Sequence, residues 1–293
     1  MDSRFADDLL VYAKSLNEAI FMMETLVEEL AKVGLSLNAD KTKILRGPIE
    51  DDGFDVSFVH IASDLVEVLD VQSSHKYLGK QLTLRLQERS QCEVKHRIQR
   101  AWASFHKHRK VLQNHHIPLH LKLKFFDSLV TPAALFAVAV MPLSKSQLEA
   151  FCVVQRKMVR RIVGWRRVAD ESWRDTMVRI NERVAQAMQI FPIQSWDECI
   201  FRAKWRFACH VAQSTPHSWM KRVCYLSTSP THDAAHGFFP HRGRGRPRIR
   251  WDDSLTAFSN EFFNSLNHWV DEIVPYCNDV HIEDAFCEYC SNS

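Results

Sequence analysis

The chain has 293 residues, 46% of them apolar, with eight Gly and ten Pro, which suits two compact domains and excludes a fibrous or disordered polymer. No run of 18 uncharged apolar residues occurs, so no membrane span is expected, and the charged start (Asp2, Arg4, Asp7, Asp8) fits neither a signal nor a transit peptide. The net charge of +3 conceals three blocks: residues 1–84 sum to −7, residues 85–167 to +13 and residues 168–293 to −3. Eight cysteines lie scattered without a dense disulfide pattern, so the expected compartment is reducing and intracellular, nucleus or cytoplasm.

The acidic first block reads as mixed α/β. Phe5-Ala6-Asp7-Asp8-Leu9-Leu10-Val11-Tyr12 places two acids between short apolar runs, the pattern of a β-hairpin with carboxylates at its turn. Adjacent carboxylates oppose each other's ionisation unless a cation neutralises them. Mg²⁺ takes hard oxygen ligands, commonly one or two carboxylates together with substrate phosphates, so Asp7 and Asp8 are candidate metal ligands. The bland alternative is an ordinary turn, since Asp suits turns. Ser15 and Glu18 then form a capping-box pattern. Ile20, Met23, Leu26, Val27, Leu30 and Val33 follow at helical spacing, and Gly34 ends the helix. Strands are expected at Leu35–Asn38, from Ile44, and over Phe54–Val59 and Leu65–Val71, and His75-Lys76-Tyr77-Leu78-Gly79 leads into another short strand ending near Leu84.

The basic block, residues 85–167, reads as helical. Val94, Ile98, Ala101, Trp102 and Phe105 form an apolar stripe, with Lys95, Arg97, Arg100, Lys107, Arg109 and Lys110 on the polar face. A second helix spans Leu119–Val130 up to Pro132, and a third spans Leu148–Val163 with Arg156, Lys157, Arg160 and Arg161 clustered on it. Such charge is the footprint of a surface that follows phosphates, or else the solvated faces of a bundle. The last block, residues 168–293, reads as further amphipathic helices at Ser172–Ile190, Trp196–Ala212 and Ser254–Leu266. Within it, Arg242, Arg244, Arg246, Arg248 and Arg250 recur at every second position over 242–250, where Gly and Pro prevent a helix. The tract resembles an AT-hook, which lays arginines along a narrow minor groove; a disordered basic linker is the other reading. Cys277, His281, Cys287 and Cys290 match no named zinc finger, and zinc is not expected.

Three motifs in order carry a family likeness. Phe5-Ala6-Asp7-Asp8, then Gly34-Leu35-Ser36-Leu37-Asn38-Ala39-Asp40-Lys41-Thr42-Lys43 after a helix, then Tyr77-Leu78-Gly79 resemble successive palm motifs of a reverse transcriptase, closest to non-LTR (LINE-like) retrotransposons. The resemblance implies an α+β fold: a partial antiparallel palm sheet with a packed helix over 1–84, a helical thumb over 85–167 and a helical C-terminal region over 168–293. It implies RNA-directed DNA synthesis on an RNA template and DNA primer, with Mg²⁺ at Asp7 and Asp8 and Phe5 backing the turn. Lys41 would steady or protonate the polyphosphate, although a solvated turn lysine is the plainer reading. Tyr77, Leu78 and Gly79 would form the primer grip. In the family a further metal-binding Asp and the fingers lie upstream of the acidic box, whereas here Met1 comes just ahead of it. Little or no polymerase activity is therefore expected from this chain alone. The rival expectations are a non-enzymatic nucleic-acid-binding module and an inert structural remnant.

Overall fold

A computed structural model describes residues 2–45, 56–70, 72–84, 89–164, 166–191, 193–228, 250–265 and 267–292. The fold is α+β, and the chain divides into two compact units, Met1–His96 and Arg97–Ser293.

Among the described residues, the first unit holds its strands in three small sheets. Strands β1 (Asp2–Phe5) and β2 (Asp8–Val11) pair antiparallel, with Phe5 opposite Asp8. Helix α1 (Leu16–Lys32) starts at Ser15, whose hydroxyl accepts from the Glu18 N–H at 3.2 Å. The returning Glu18 carboxylate accepts from the Lys14 N–H at 2.6 Å, one residue earlier than a capping box requires. Gly34 closes the helix at φ +75°, a conformation that favours a residue without Cβ.

Strand β5 (Asp64–Leu69) is central to the second sheet, parallel to β3 (Lys43–Leu45) and antiparallel to β4 (Phe58–Ile61). The period of two is explicit in β4, where Val59 and Ile61 are buried and Phe58 and His60 are exposed. Val59, Ile61, Val66 and Val68 form a core on which Leu16, Ile20, Met23 and Val27 of α1 pack. Full burial of each of these strand side chains is worth roughly 1.5–3 kcal/mol, and the partly buried α1 side chains contribute less. Leu35–Asn38, which alternates like a strand, is not one. The Asn38 carbonyl instead accepts from Lys41 N–H at 3.2 Å and Thr42 N–H at 3.0 Å, folding the chain into a turn ahead of β3. The third sheet is the hairpin of β6 (His75–Tyr77) and β7 (Lys80–Leu82).

The second unit is helical. Helix α2 (Arg89–Lys107) begins in the first unit and runs into it. There follow α3 (Arg109–Leu112), α4 (Leu119–Leu129), α5 (Thr131–Leu135), α6 (Lys145–Val163), α7 (Trp173–Ile190), α8 (Trp196–Gln213), α9 (Trp219–Thr228), α10 (Asp253–Phe262), α11 (Trp269–Glu272) and α12 (Val280–Asn292). A full capping box of Ser144 and Gln147 starts α6 earlier than its apolar pattern suggests. Residues 119–140 are apolar enough in composition to cross a membrane, but they are broken into α4, α5 and a 3₁₀ turn. Leu123, Phe126, Val130, Ala134 and Val138 of that stretch are buried in the protein core.

Trp196 fills the space beside Phe126 and Phe151, with ring centroids at 6.1 and 6.4 Å. Its indole N–H donates to the Thr131 hydroxyl at 3.0 Å. Gln155, 1% exposed, ties α6 to the start of α8: its amide donates to the Gln194 carbonyl and accepts from the Trp196 N–H, both at 2.9 Å. A second core gathers Trp205, Phe258, Trp269 and Phe286. Arg202 pairs with Glu198 of its own helix at 3.1 Å and pins α8 to α12 through Asp284 at 2.7 Å.

Candidate functional site

The acidic motif folds as its pattern suggests. Ala6 and Asp7 form the two-residue turn between β1 and β2, and Asp8 opens β2. Ala6 sits at φ +53°, a left-handed value that costs a residue with a Cβ about 1–2 kcal/mol. The turn holds Asp7 and Asp8 as exposed neighbours with the exposed Phe5 ring beside them. Two adjacent carboxylates at an exposed turn suit one hard divalent cation that is also held by nucleotide phosphates. They fall short of a two-ion set, which needs a further bridging ligand. Among the described residues, no group of three or more His, Cys, Asp or Glu comes together in a way that could hold a metal, the Cys277–Cys290 array included.

Lys41 has an exposed side chain, and its position depends on Asn38. The Asn38 side-chain oxygen accepts from the Lys41 N–H at 3.1 Å, and the Asn38 carbonyl accepts from the Thr42 hydroxyl at 2.8 Å. Asn38 is thus the buckle of this turn, a role that the motif contains but does not announce. Lys43 then pairs with Glu67 at 2.9 Å across the parallel β3–β5 register. His75 lies close by, its imidazole held below its ordinary pKa by burial and by the Lys43 cation, with Glu67 opposing.

Tyr77, Leu78 and Gly79 form the bend of the β6–β7 hairpin. Leu78 at φ +47° and Gly79 at φ +80° make a turn that is left-handed at both central positions, as the twist of a tight hairpin favours. Gly79 suits its place; Leu78 is strained there. Glu93 of α2, 1% exposed, braces this hairpin by accepting from the Gln81 N–H at 2.6 Å. The Gln81 amide also meets the His96 ring at 3.4 Å, one turn further along α2. The sequence signal for this brace is a single acid in a strongly basic helix.

The basic candidates divide by environment. Arg100, Arg156, Lys157 and Arg161 are exposed. Arg156 pairs with Glu149, and the Arg161 guanidinium lies over the Trp102 ring at 4.7 Å. Arg160 is half-buried and donates to the Asn181 side chain at 2.7 Å. Arg97 is different: it is 4% exposed and lies over Phe136 at 5.0 Å, so its charge faces the interior and not a phosphate. The buried stripe of α2 is Val94, Arg97, Ala101 and Phe105, with the aliphatic stem of Arg97 filling a place expected for Ile98. Lys122 is also buried, and donates to the Ile162 carbonyl in the last turn of α6 at 3.2 Å, where a cation meets the negative end of the helix. Arg242, Arg244, Arg246 and Arg248 lie outside the described residues. Arg250 lies within them, and its backbone N–H donates to the Asp253 carboxylate at 2.7 Å. All eight cysteines are free thiols.

Comparison with known proteins bears on both units. Residues 3–82 match the family described as reverse transcriptase (RNA-dependent DNA polymerase), a stretch containing the acidic hairpin, the Asn38–Lys41 turn and the β6–β7 hairpin. The chain is 27% identical over 260 residues to a transposon-derived protein of Caenorhabditis elegans, covering 86% of this chain and 82% of that protein. No solved structure matches.

Proposed function

We propose that this chain is a reverse-transcriptase-related protein of a non-LTR retroelement, in which residues 1–84 supply part of the palm, 85–167 a basic thumb and 168–293 a helical C-terminal region. The observation that carries this reading is the exposed Asp7-Asp8 turn, set at the start of a stretch that matches the reverse transcriptase family. The likeness to a transposon-derived protein along most of the chain supports the retroelement origin. Its ligands are template and primer nucleic acid, RNA and DNA, held by the exposed Arg100, Lys157 and Arg161 and by the arginine tract. The free thiols suit an intracellular site of action.

Mg²⁺, when bound, would offset phosphate charge beside Asp7 and Asp8. Asp7 and Asp8 are an adjacent pair and a two-ion site needs a further bridging ligand, so little or no polymerisation is expected from this chain alone. The active role is therefore nucleic-acid binding, with synthesis dependent on ligands from elsewhere. Primer extension on an RNA template with Mg²⁺ tests this directly: no product is expected. Extension that disappears in Asp7→Ala would overturn the proposed inactivity. Binding to a primer–template duplex should weaken steeply with salt, and a flat salt response would remove the nucleic-acid role.

A further inference from the structure

Trp102, in the latter half of α2, is the centre of an aromatic and cationic stack. The Arg161 guanidinium of α6 lies 4.7 Å from its ring centre. The His106 ring, one turn on from Trp102, lies 5.6 Å away and only 25° from parallel. His106 is exposed and also meets the Phe105 ring nearly perpendicularly, at 88°. An exposed planar ring already held in a stack by its neighbours is well prepared for another planar group, because little freedom remains to be lost on binding.

The surroundings select a polyanion. No Asp or Glu occurs between Glu93 and Asp127, while that interval contains eight Lys or Arg and six His. Lys107 and Lys110 beside His106, and Arg161 across the stack, are exposed. We propose that His106, backed by Trp102 and Arg161, is a stacking site for an unpaired nucleobase of single-stranded nucleic acid, with Lys107 and Lys110 on the flanking phosphates. The proposal rests on the nucleic-acid-binding reading given above and adds a strand preference to it. A base within a duplex has both faces occupied by its neighbours, so it offers phosphates to this surface but no ring.

The test uses the full chain and fluorescence anisotropy, with single-stranded DNA, single-stranded RNA and a duplex of equal length. A 2-aminopurine base in the single strands reports stacking directly. His106→Ala is expected to weaken single-strand binding about tenfold and to abolish the 2-aminopurine response, leaving duplex binding unchanged. His106→Phe should restore both, since it keeps a stacking ring without the imidazole. Because His106 is exposed, neither change should alter the helical circular dichroism. The site is refuted if His106→Ala leaves single-strand affinity unchanged, or lowers single-strand and duplex affinity equally. Failure of the unsubstituted chain to bind any of the three would remove the nucleic-acid reading itself, a separate result.

Discussion

Lys204 provides a prediction in which pH sets the sign. Its ammonium lies largely out of water between α8 and α10, donating to the Ser254 hydroxyl at 2.7 Å and lying 5.5 Å from the Trp251 ring centre. Burial pulls its pKa from the ordinary 10.5 down to about 8, although Cys290, Asp252 and Asp253 nearby favour the charge. Between those two values the unfolded chain keeps the proton and the folded chain has lost it. The unfolded state then binds more protons, so stability contributed by this group rises with pH across that window. Every tenfold loss of proton affinity on folding corresponds to about 1.4 kcal/mol, and some solvent screening must be allowed for, so the expected rise is about 2–3 kcal/mol. Lys204→Met removes the titration, and with it a neutral hydrogen bond worth about 1 kcal/mol. The variant should therefore be more stable than the parent at pH 7 and less stable near pH 10.5. Urea unfolding of both proteins at half-unit pH steps measures this, and taking the difference cancels every other titrating group. A parent-to-variant difference that stays flat from pH 7.5 to 10.5 would refute the reasoning.

Other consequences can be checked in the same way. Gln155→Leu leaves the Trp196 N–H and the Gln194 carbonyl without their buried partner, and should cost about 2–4 kcal/mol in urea unfolding. Leu78→Asn relieves a left-handed leucine and should stabilise by about 1 kcal/mol, whereas Gly79→Ala should destabilise by about 1 kcal/mol, both read as shifts in melting temperature. Arg100→Gln and Lys157→Gln should each flatten the salt dependence of duplex binding by about one in the log–log slope. Arg97→Gln should leave that slope unchanged and lower the melting temperature, since its guanidinium is buried against Phe136.

Much of the fold is legible in the chain because helices announce themselves locally. Ser15 and Ser172 each mark a helix start and each accepts the expected backbone N–H, whereas the Ser144 cap lies ahead of the apolar stripe that signals α6. Pairing between strands is less legible, since nothing near Lys43 specifies that β3 will run parallel to β5. Leu35–Asn38 misleads because alternation favours a strand only until a side chain offers the backbone another partner, and Asn38 does so. The candidate acids are visible as a motif, and their turn is where the motif puts it. The basic surface is harder to read. Helical spacing gives the phase of a stripe to within about one residue, which does not separate Arg97 from Ile98. Lys122 shows the same limit: a lysine in a basic run looks solvated until the end of another helix is brought to it.

The mixed pairing of the second sheet also has a kinetic consequence. The β4–β5 hairpin joins Ile61 to Asp64 and Phe58 to Glu67 across a tight loop, whereas β3 must find a partner 24 positions away, Lys43 against Glu67. Loop closure disfavours the longer search, so the hairpin should be formed in the rate-limiting step for folding and β3 should dock after it. Truncating Val66 would then slow refolding, while truncating Ile44 would chiefly speed unfolding. The edge that β5 offers before β3 arrives is the point at which this domain is most open to pairing with the wrong strand.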